Sequence, residues 1–219
     1  MNVSFMIEYL PWYVEAAKLT VRIAFWGILL ALAAGLLCGV LKFYRVPVVH
    51  RIVSVYIELS RNTPLLVQLF FLYFGLPKLG ILWEAETCAV IGLGFLGGSY
   101  MAESIRSGLE AVEKTQIESA QSLGMGRWLT MKEIILPQTL AVSMPGISAN
   151  VIFLIKETSV VSGIALADLM YVTKDLIGLY YETDEALLML VICYLIILLP
   201  VSVAGSILER RLRYARFGN

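Results

Sequence analysis

The chain is 219 residues long, and its 17 basic and 17 acidic side chains leave a formal net charge of +0. Hydrophobic residues make up 59% and charged residues 16%, with a mean hydropathy of +0.80, whereas a soluble domain carries about 25% charged residues. That composition excludes an ordinary water-soluble domain, and the balanced charge points to no strongly charged partner such as nucleic acid. Roughly 20 helical residues cross a bilayer core, and the apolar runs read as an all-α integral membrane protein with five transmembrane helices.

Residues 1–18 mix aromatics with Glu8, Glu15 and Lys18 around Pro11, and read as an interfacial segment lying on the membrane. The first span is 19–41, where Gly35 and Gly39 let another helix approach closely. Ala31-Leu32-Ala33 resembles a signal-peptidase site, but the apolar run continues past it and no basic cluster opens the chain, so cleavage is not expected. A short basic loop at 42–51, broken by Pro47, leads to a second span at about 52–76 that contains Glu58, Arg61, Asn62, Thr63 and Pro64. A polar linker at 77–86 precedes a third span, about 87–105, in which Gly94 and Gly98 repeat the close-packing spacing. A long polar loop, about 106–143, follows. The fourth span, about 145–170, is interrupted by Lys156-Glu157-Thr158-Ser159, and an acidic linker with Asp175, Glu182, Asp184 and Glu185 leads to the fifth, about 186–208. Cys38, Cys88 and Cys193 lie far apart in apolar runs and His50 is the one histidine, so no metal site is expected.

Five spans put the two ends on opposite sides. Lys42, Arg45, Arg51, Arg106, Lys114, Arg127, Lys132, Arg210, Arg211, Arg213 and Arg216 would share one side, against Lys18, Arg22, Lys78 and Lys174 on the other. The excess of basic residues in cytoplasmic loops then predicts an amino terminus outside and a carboxyl terminus in the cytoplasm, with the 106–143 loop cytoplasmic too.

Glu58, Arg61, Lys156 and Glu157 fall within spans. Each ionised group at the bilayer centre costs about 2.5–3.5 kcal/mol, so the four cannot all face lipid. Two readings stand: ion pairs that only orient helices, or a substrate path near the midplane. Glu58 and Arg61, three apart, would stack on one helix face. Pro64 frees backbone carbonyls and disfavours helix at Thr63, and irregular backbone at membrane depth is tolerated only where it lines protein or water. A zwitterionic solute would find donors in Arg61, Lys156, Thr63, Thr158 and Ser159, and acceptors in Glu58, Glu157 and Gln68.

In the polar loop, 115–123 reads as a short helix stopped by Gly124 and Gly126, and a second helical piece from Trp128 ends at Pro137. Leu123, Met125 and Trp128 would leave an apolar cap in water, the mark of a docking surface. The spacing from Glu118-Ser119-Ala120 through Leu123-Gly124 to Ile134-Ile135-Leu136-Pro137 resembles the Glu-Ala-Ala signature of permease subunits of ABC importers. Residues 56–70, with Glu58-Leu59-Ser60-Arg61-Asn62-Thr63-Pro64 at their centre, resemble the polar amino-acid branch of that family. So do Ser99–Gly108, Leu136-Pro137-Gln138 and Lys156–Val161, and the four motifs keep the family's order. Ser119 stands for the usual first alanine, Thr115 for a usual glycine and Asn62 for a common glycine.

The resemblance implies a MetI-like permease fold with a cytoplasmic coupling helix, as one domain over 1–219 in a prokaryotic inner membrane. It implies coupling to the ATPase through Glu118, Ser119, Ala120, Leu123 and Gly124. It also implies a second permease copy or paralogue, two cytoplasmic ATPase subunits, an extracytoplasmic solute-binding protein and an amino-acid substrate. No G-x-x-x-x-G-K-[ST] stretch is present, so ATP and magnesium are expected on the partner, with no cofactor in this chain. A secondary transporter or channel would also carry midplane charges and would work without an ATPase. An intramembrane enzyme would need a catalytic pair or metal motif; H-E-x-x-H is absent, and Lys156 with Ser159 is its only foothold.

Overall fold

The computed structural model describes residues 2–44 and 47–217, and the side chains of 213 and 215–217 lie outside what it describes, as does Arg45 of the basic loop. Its elements are α1 (Val3–Phe43), α2 (Pro47–Arg61), α3 (Leu65–Phe70), α4 (Ala85–Glu110), α5 (Lys114–Ser122), α6 (Arg127–Thr130), α7 (Leu136–Glu157), α8 (Leu169–Tyr180) and α9 (Thr183–Phe217). Four helical runs are long and apolar enough to cross a membrane: Val3–Phe43, Ala85–Glu110, Arg127–Ile164 and Thr183–Leu212. A shorter apolar helical stretch, Leu65–Leu79, follows α2 and is made in pieces. α2 stops at Arg61, and α3 resumes at Leu65, passes through a π turn at Phe71–Gly75 and ends in a 3-10 turn at Leu76–Leu79.

Glycine spacing sets the packing. A Cβ added at Gly35 would collide with Met101, and one at Gly94 would collide with Leu30. The pairs Gly27–Leu93, Gly35–Met101 and Gly39–Ile105 advance in step, so α1 and α4 run parallel and nearly touch by backbone. On the other face of α4 the pairs Gly97–Leu154, Gly108–Ser143 and Ser104–Gly146 run in opposite senses, so α7 is antiparallel to it. Ile23, Ala31, Leu93, Met101, Leu154 and Val161 fill the core between these three helices.

Three boundaries differ from the sequence expectation. Residues 3–18 do not form a separate surface segment, because α1 continues through Pro11 and packs Phe5, Tyr9 and Tyr13 against Leu169, Val172, Leu176 and Met189. Tyr13 donates its hydroxyl to the Ala186 carbonyl at 2.9 Å, which fixes that end of α1 against α9. The expected acidic linker contains α8, started by Asp168, whose carboxylate accepts the backbone N–H groups of Met170 and Tyr171. Pro137 does not end a helix. It stands in the first turn of α7, where its missing N–H costs nothing, and a π turn at Met131–Ile135 joins α6 to α7 with the Leu136 N–H reaching back to Met131.

Candidate functional site

The break between α2 and α3 is built from polar side chains that satisfy their own backbone. The Thr63 hydroxyl donates to Leu59 O at 2.7 Å, and Asn62 Nδ2 donates to Glu58 O at 2.8 Å. Gln68 Nε2 donates to both Ser60 O and Thr63 O at 3.0 Å, closing the gap that Pro64 opens. Gln68 is buried, and its Oε1 has no hydrogen-bond partner among the described residues. Ser60 Oγ donates to Phe95 O and lies 3.1 Å from Ser99 Oγ, while Tyr56 donates to Phe95 O at 2.7 Å. The broken segment is therefore anchored to α4 by hydroxyls on one face of α2.

The charges do not pair as the spacing suggested. Glu58 takes Asn62 Nδ2 at 3.1 Å, and among the described residues no ion pair joins any two of Glu58, Arg61, Lys156 and Glu157. Arg61 instead stacks over the Tyr100 ring, 5.0 Å from its centroid, and Tyr100 packs on Phe153 at 5.4 Å. Phe153 and Glu157 are four apart on α7 and share a face. Arg61, Tyr100, Phe153 and Glu157 thus form a line across three helices, with Glu157 half-buried and Lys156 exposed.

The other expected site residues fall elsewhere. Thr158 is fully buried and donates its hydroxyl to Ile155 O, so it faces the core rather than a solute. Gln68 spends both amide hydrogens on the break. Thr63 and Gln68 line a cavity of about 390 Å³ between α3 and α4 that Arg61, Lys156 and Glu157 do not reach. Ser159 is half-buried at the start of the 3-10 turn Thr158–Ile164. Tyr100 lies in the Ser99–Gly108 motif without a role assigned to it and Phe153 in no motif, because an aromatic inside an apolar run gives no signal of a charged neighbour.

At the other end of the molecule, α5 presents Glu118 and Ser119 outward and buries Ala120. Gly124 closes it in the left-handed conformation (φ 78°), with the Gly124 N–H on Gln121 O at 2.9 Å and the Met125 N–H on Ala120 O at 3.0 Å. These two bonds satisfy the orphan carbonyls of the last turn, and only a residue free of Cβ strain adopts that φ readily. Leu123 and Trp128 are 82% and 80% exposed on the tip, an apolar pair left uncovered among the described residues. Ser119 keeps its hydroxyl on Thr115 O, so the serine in place of alanine adds no free polar group.

The family description "binding-protein-dependent transport system inner membrane component" matches residues 2–214. The chain belongs to that family. It is a multi-pass membrane permease subunit of an ABC importer, working with an ATPase and a substrate-binding protein. Among relatives, it is 33% identical over 196 residues to the probable amino-acid ABC transporter permease protein PatM of Vibrio harveyi, covering 87% of each chain. A solved amino acid ABC transporter with histidines superposes with a TM-score of 0.87 at 31% identity, over 96% of this permease and 99% of that chain. The methionine transporter MetNI shares the fold, with a TM-score of 0.79 at 17% identity over 94% of this permease and 98% of that chain. The MetI-like architecture read from the motifs is the one observed. Among the described residues no group of three or more His, Cys, Asp or Glu side chains is placed to hold a metal.

Proposed function

We propose that the permease carries polar amino acids inward across a prokaryotic plasma membrane, driven by ATP hydrolysis on a partner. The similarity to amino-acid permeases over nearly the whole chain carries this reading. The amino terminus lies outside and the carboxyl terminus in the cytoplasm, in keeping with the basic residues gathered at the α1–α2, α4–α7 and carboxyl-terminal ends. The membrane crossings are α1, α2 with α3, α4, α7 and α9, within a single domain. Two permeases, identical or paralogous, assemble with two ATPase subunits that bind ATP and magnesium, and with a solute-binding protein on the outer face.

The substrate meets Arg61, Lys156, Glu157 and Ser159, with Glu58 at the mouth. Unpaired charges at membrane depth are costly unless they face water or a ligand, and among the described residues none of the first three has an ion-pair partner. Thr63 and Gln68 hold the broken helix that presents Arg61. At the cytoplasmic end Glu118, Ser119, Ala120, Leu123 and Gly124 take the ATPase groove, with Leu123 as the buried anchor and Glu118 meeting a basic side chain.

Reconstitution of the four-subunit importer in liposomes with its binding protein and a panel of amino acids tests the reading. Uptake of polar amino acids should require internal ATP, and Arg61→Ala and Glu157→Ala should abolish it in a folded assembly. Uptake by the permease alone would instead establish the secondary-transporter reading.

A further inference from the structure

One groove on the surface of the helix bundle has a polar mouth and an apolar body. It lies between α1 and α4, holds about 670 Å³, and runs from Arg22, Glu84 and Glu86 past Trp26 and Leu29 to Ala33. From residue 22 to residue 33 a helix rises about 16 Å at ~1.5 Å per residue, about one leaflet of a ~30 Å hydrocarbon core. Because α1 and α4 are parallel, the mouth opens at the level where α4 begins and the floor points along both helices toward the middle of the bundle. Trp26 is half-exposed along the wall, the depth at which an indole sits between head groups and chains.

The mouth has a specific charge pattern. Arg22 Nη2 is 2.6 Å from Glu86 Oε2, so one cation and one anion are joined. Glu84 precedes the first turn of α4, yet its side chain makes no capping bond and no ion pair among the described residues. The mouth therefore carries one surplus carboxylate next to a guanidinium that still has free N–H groups. A headgroup that fits must bring an ammonium for Glu84 and an anion for Arg22 at a few ångströms' separation.

We infer that this groove seats one phospholipid with a phosphoethanolamine headgroup, its phosphate on Arg22, its ammonium on Glu84 and one acyl chain along Trp26, Leu29 and Ala33. An anionic headgroup without an amine meets a net negative mouth and is disfavoured. A choline headgroup keeps its charge but has no N–H for Glu84. The seat lies beside the Gly27–Leu93 and Leu30–Gly94 contacts of the α1–α4 pair.

Native mass spectrometry of the intact importer complex, exchanged into an equimolar mixture of phosphatidylethanolamine, phosphatidylcholine and phosphatidylglycerol, reads the occupant. The ethanolamine lipid should be retained over the choline lipid by about fivefold, the ratio given by one hydrogen bond of about 1 kcal/mol that choline cannot donate. Glu84→Gln should bring that ratio near one, and Ala33→Trp, which fills the groove and leaves the mouth intact, should remove one retained lipid per permease. Equal retention of all three lipids, preference for phosphatidylglycerol, or an unchanged lipid count in both variants overturns the inference. So does disulfide cross-linking of Ala33→Cys to a protein subunit, which would place protein in the groove.

Discussion

Gln138 Nε2 donates to Gln116 Oε1 at 2.5 Å, joining the first turn of α7 to the exposed helix α5 across 22 residues of chain. α7 continues through Phe153 to Glu157, so this amide pair ties α5 to the helix that carries Glu157. Gln116 is exposed, and a solvent-facing hydrogen bond contributes only about 0.5–1.5 kcal/mol to folding. Gln116→Leu should therefore leave thermal stability nearly unchanged while the amount of substrate moved per ATP hydrolysed falls several-fold. A normal transport-to-ATPase ratio in that variant would sink the link.

Gly124 makes a second, independent prediction. A Cβ there meets nothing within 4 Å, so side-chain room is not the constraint; the left-handed φ of 78° is. Asparagine tolerates that conformation, and a β-branched residue does not, at about 1–2 kcal/mol. Gly124→Asn should keep transport and Gly124→Val should lose it, with α5 frayed at Ala120–Ser122 by hydrogen exchange. Equal loss in both variants would mean that the ATPase needs the missing side chain, not the turn.

The legible parts of the molecule were those whose physics is local. Gly35-x-x-x-Gly39 and Gly94-x-x-x-Gly98 marked backbone approach, and both sit where a Cβ would strike the facing helix: Met101 and Ala102 for the first, Leu30 and Tyr56 for the second. Pro64 marked a break, and the break is there. Side-chain partners on other helices leave no local mark in the sequence. Glu58 and Arg61 at helical spacing suggested a stacked pair, but Asn62 lies four residues from Glu58 and takes it, while Tyr100 on another helix takes Arg61. Acidic residues at 175–185 suggested a linker, because charge masked the apolar face of α8, where Leu169, Val172 and Leu176 pack on α1. Asp168 ahead of that face was the unused signal of a helix start.

Gln68 is expected to be a structural residue of the path rather than a ligand. Its amide bridges Ser60 O and Thr63 O, and leaving a buried carbonyl unpaired costs about 1–3 kcal/mol each. Gln68→Leu keeps the volume and loses both bonds, so unfolding should shift by about 2–4 kcal/mol, with transport falling in proportion to folded protein. Gln68→Glu, which keeps an acceptor but no donor, should be as unstable. A stable Gln68→Leu with normal ATPase activity and lost transport would instead make the unpartnered Oε1 a substrate acceptor.

Asp168 gives the pH dependence. It lies beyond the membrane-crossing run that ends at Ile164, is fully buried, and caps α8. Burial pushes its carboxyl from 3.8 up to about 6, against the opposing pull of the Tyr171 and Met170 N–H groups and of Lys174. The folded state thus binds the proton more tightly than the unfolded chain does. The associated stability is fully present below about 3.8, declines as pH rises, and is gone above about 6. A shift of about two pH units corresponds to a burial cost on the order of 3 kcal/mol carried at neutral pH. Asparagine caps a helix as well as aspartate and carries no charge. Asp168→Asn should match the wild type in apparent Tm at pH 4, exceed it at pH 7.5, and diverge from it progressively between those values. An Asn variant that follows the wild-type pH profile throughout would show that the carboxyl stays ionised in the folded protein, hydrated by water reaching the start of α8.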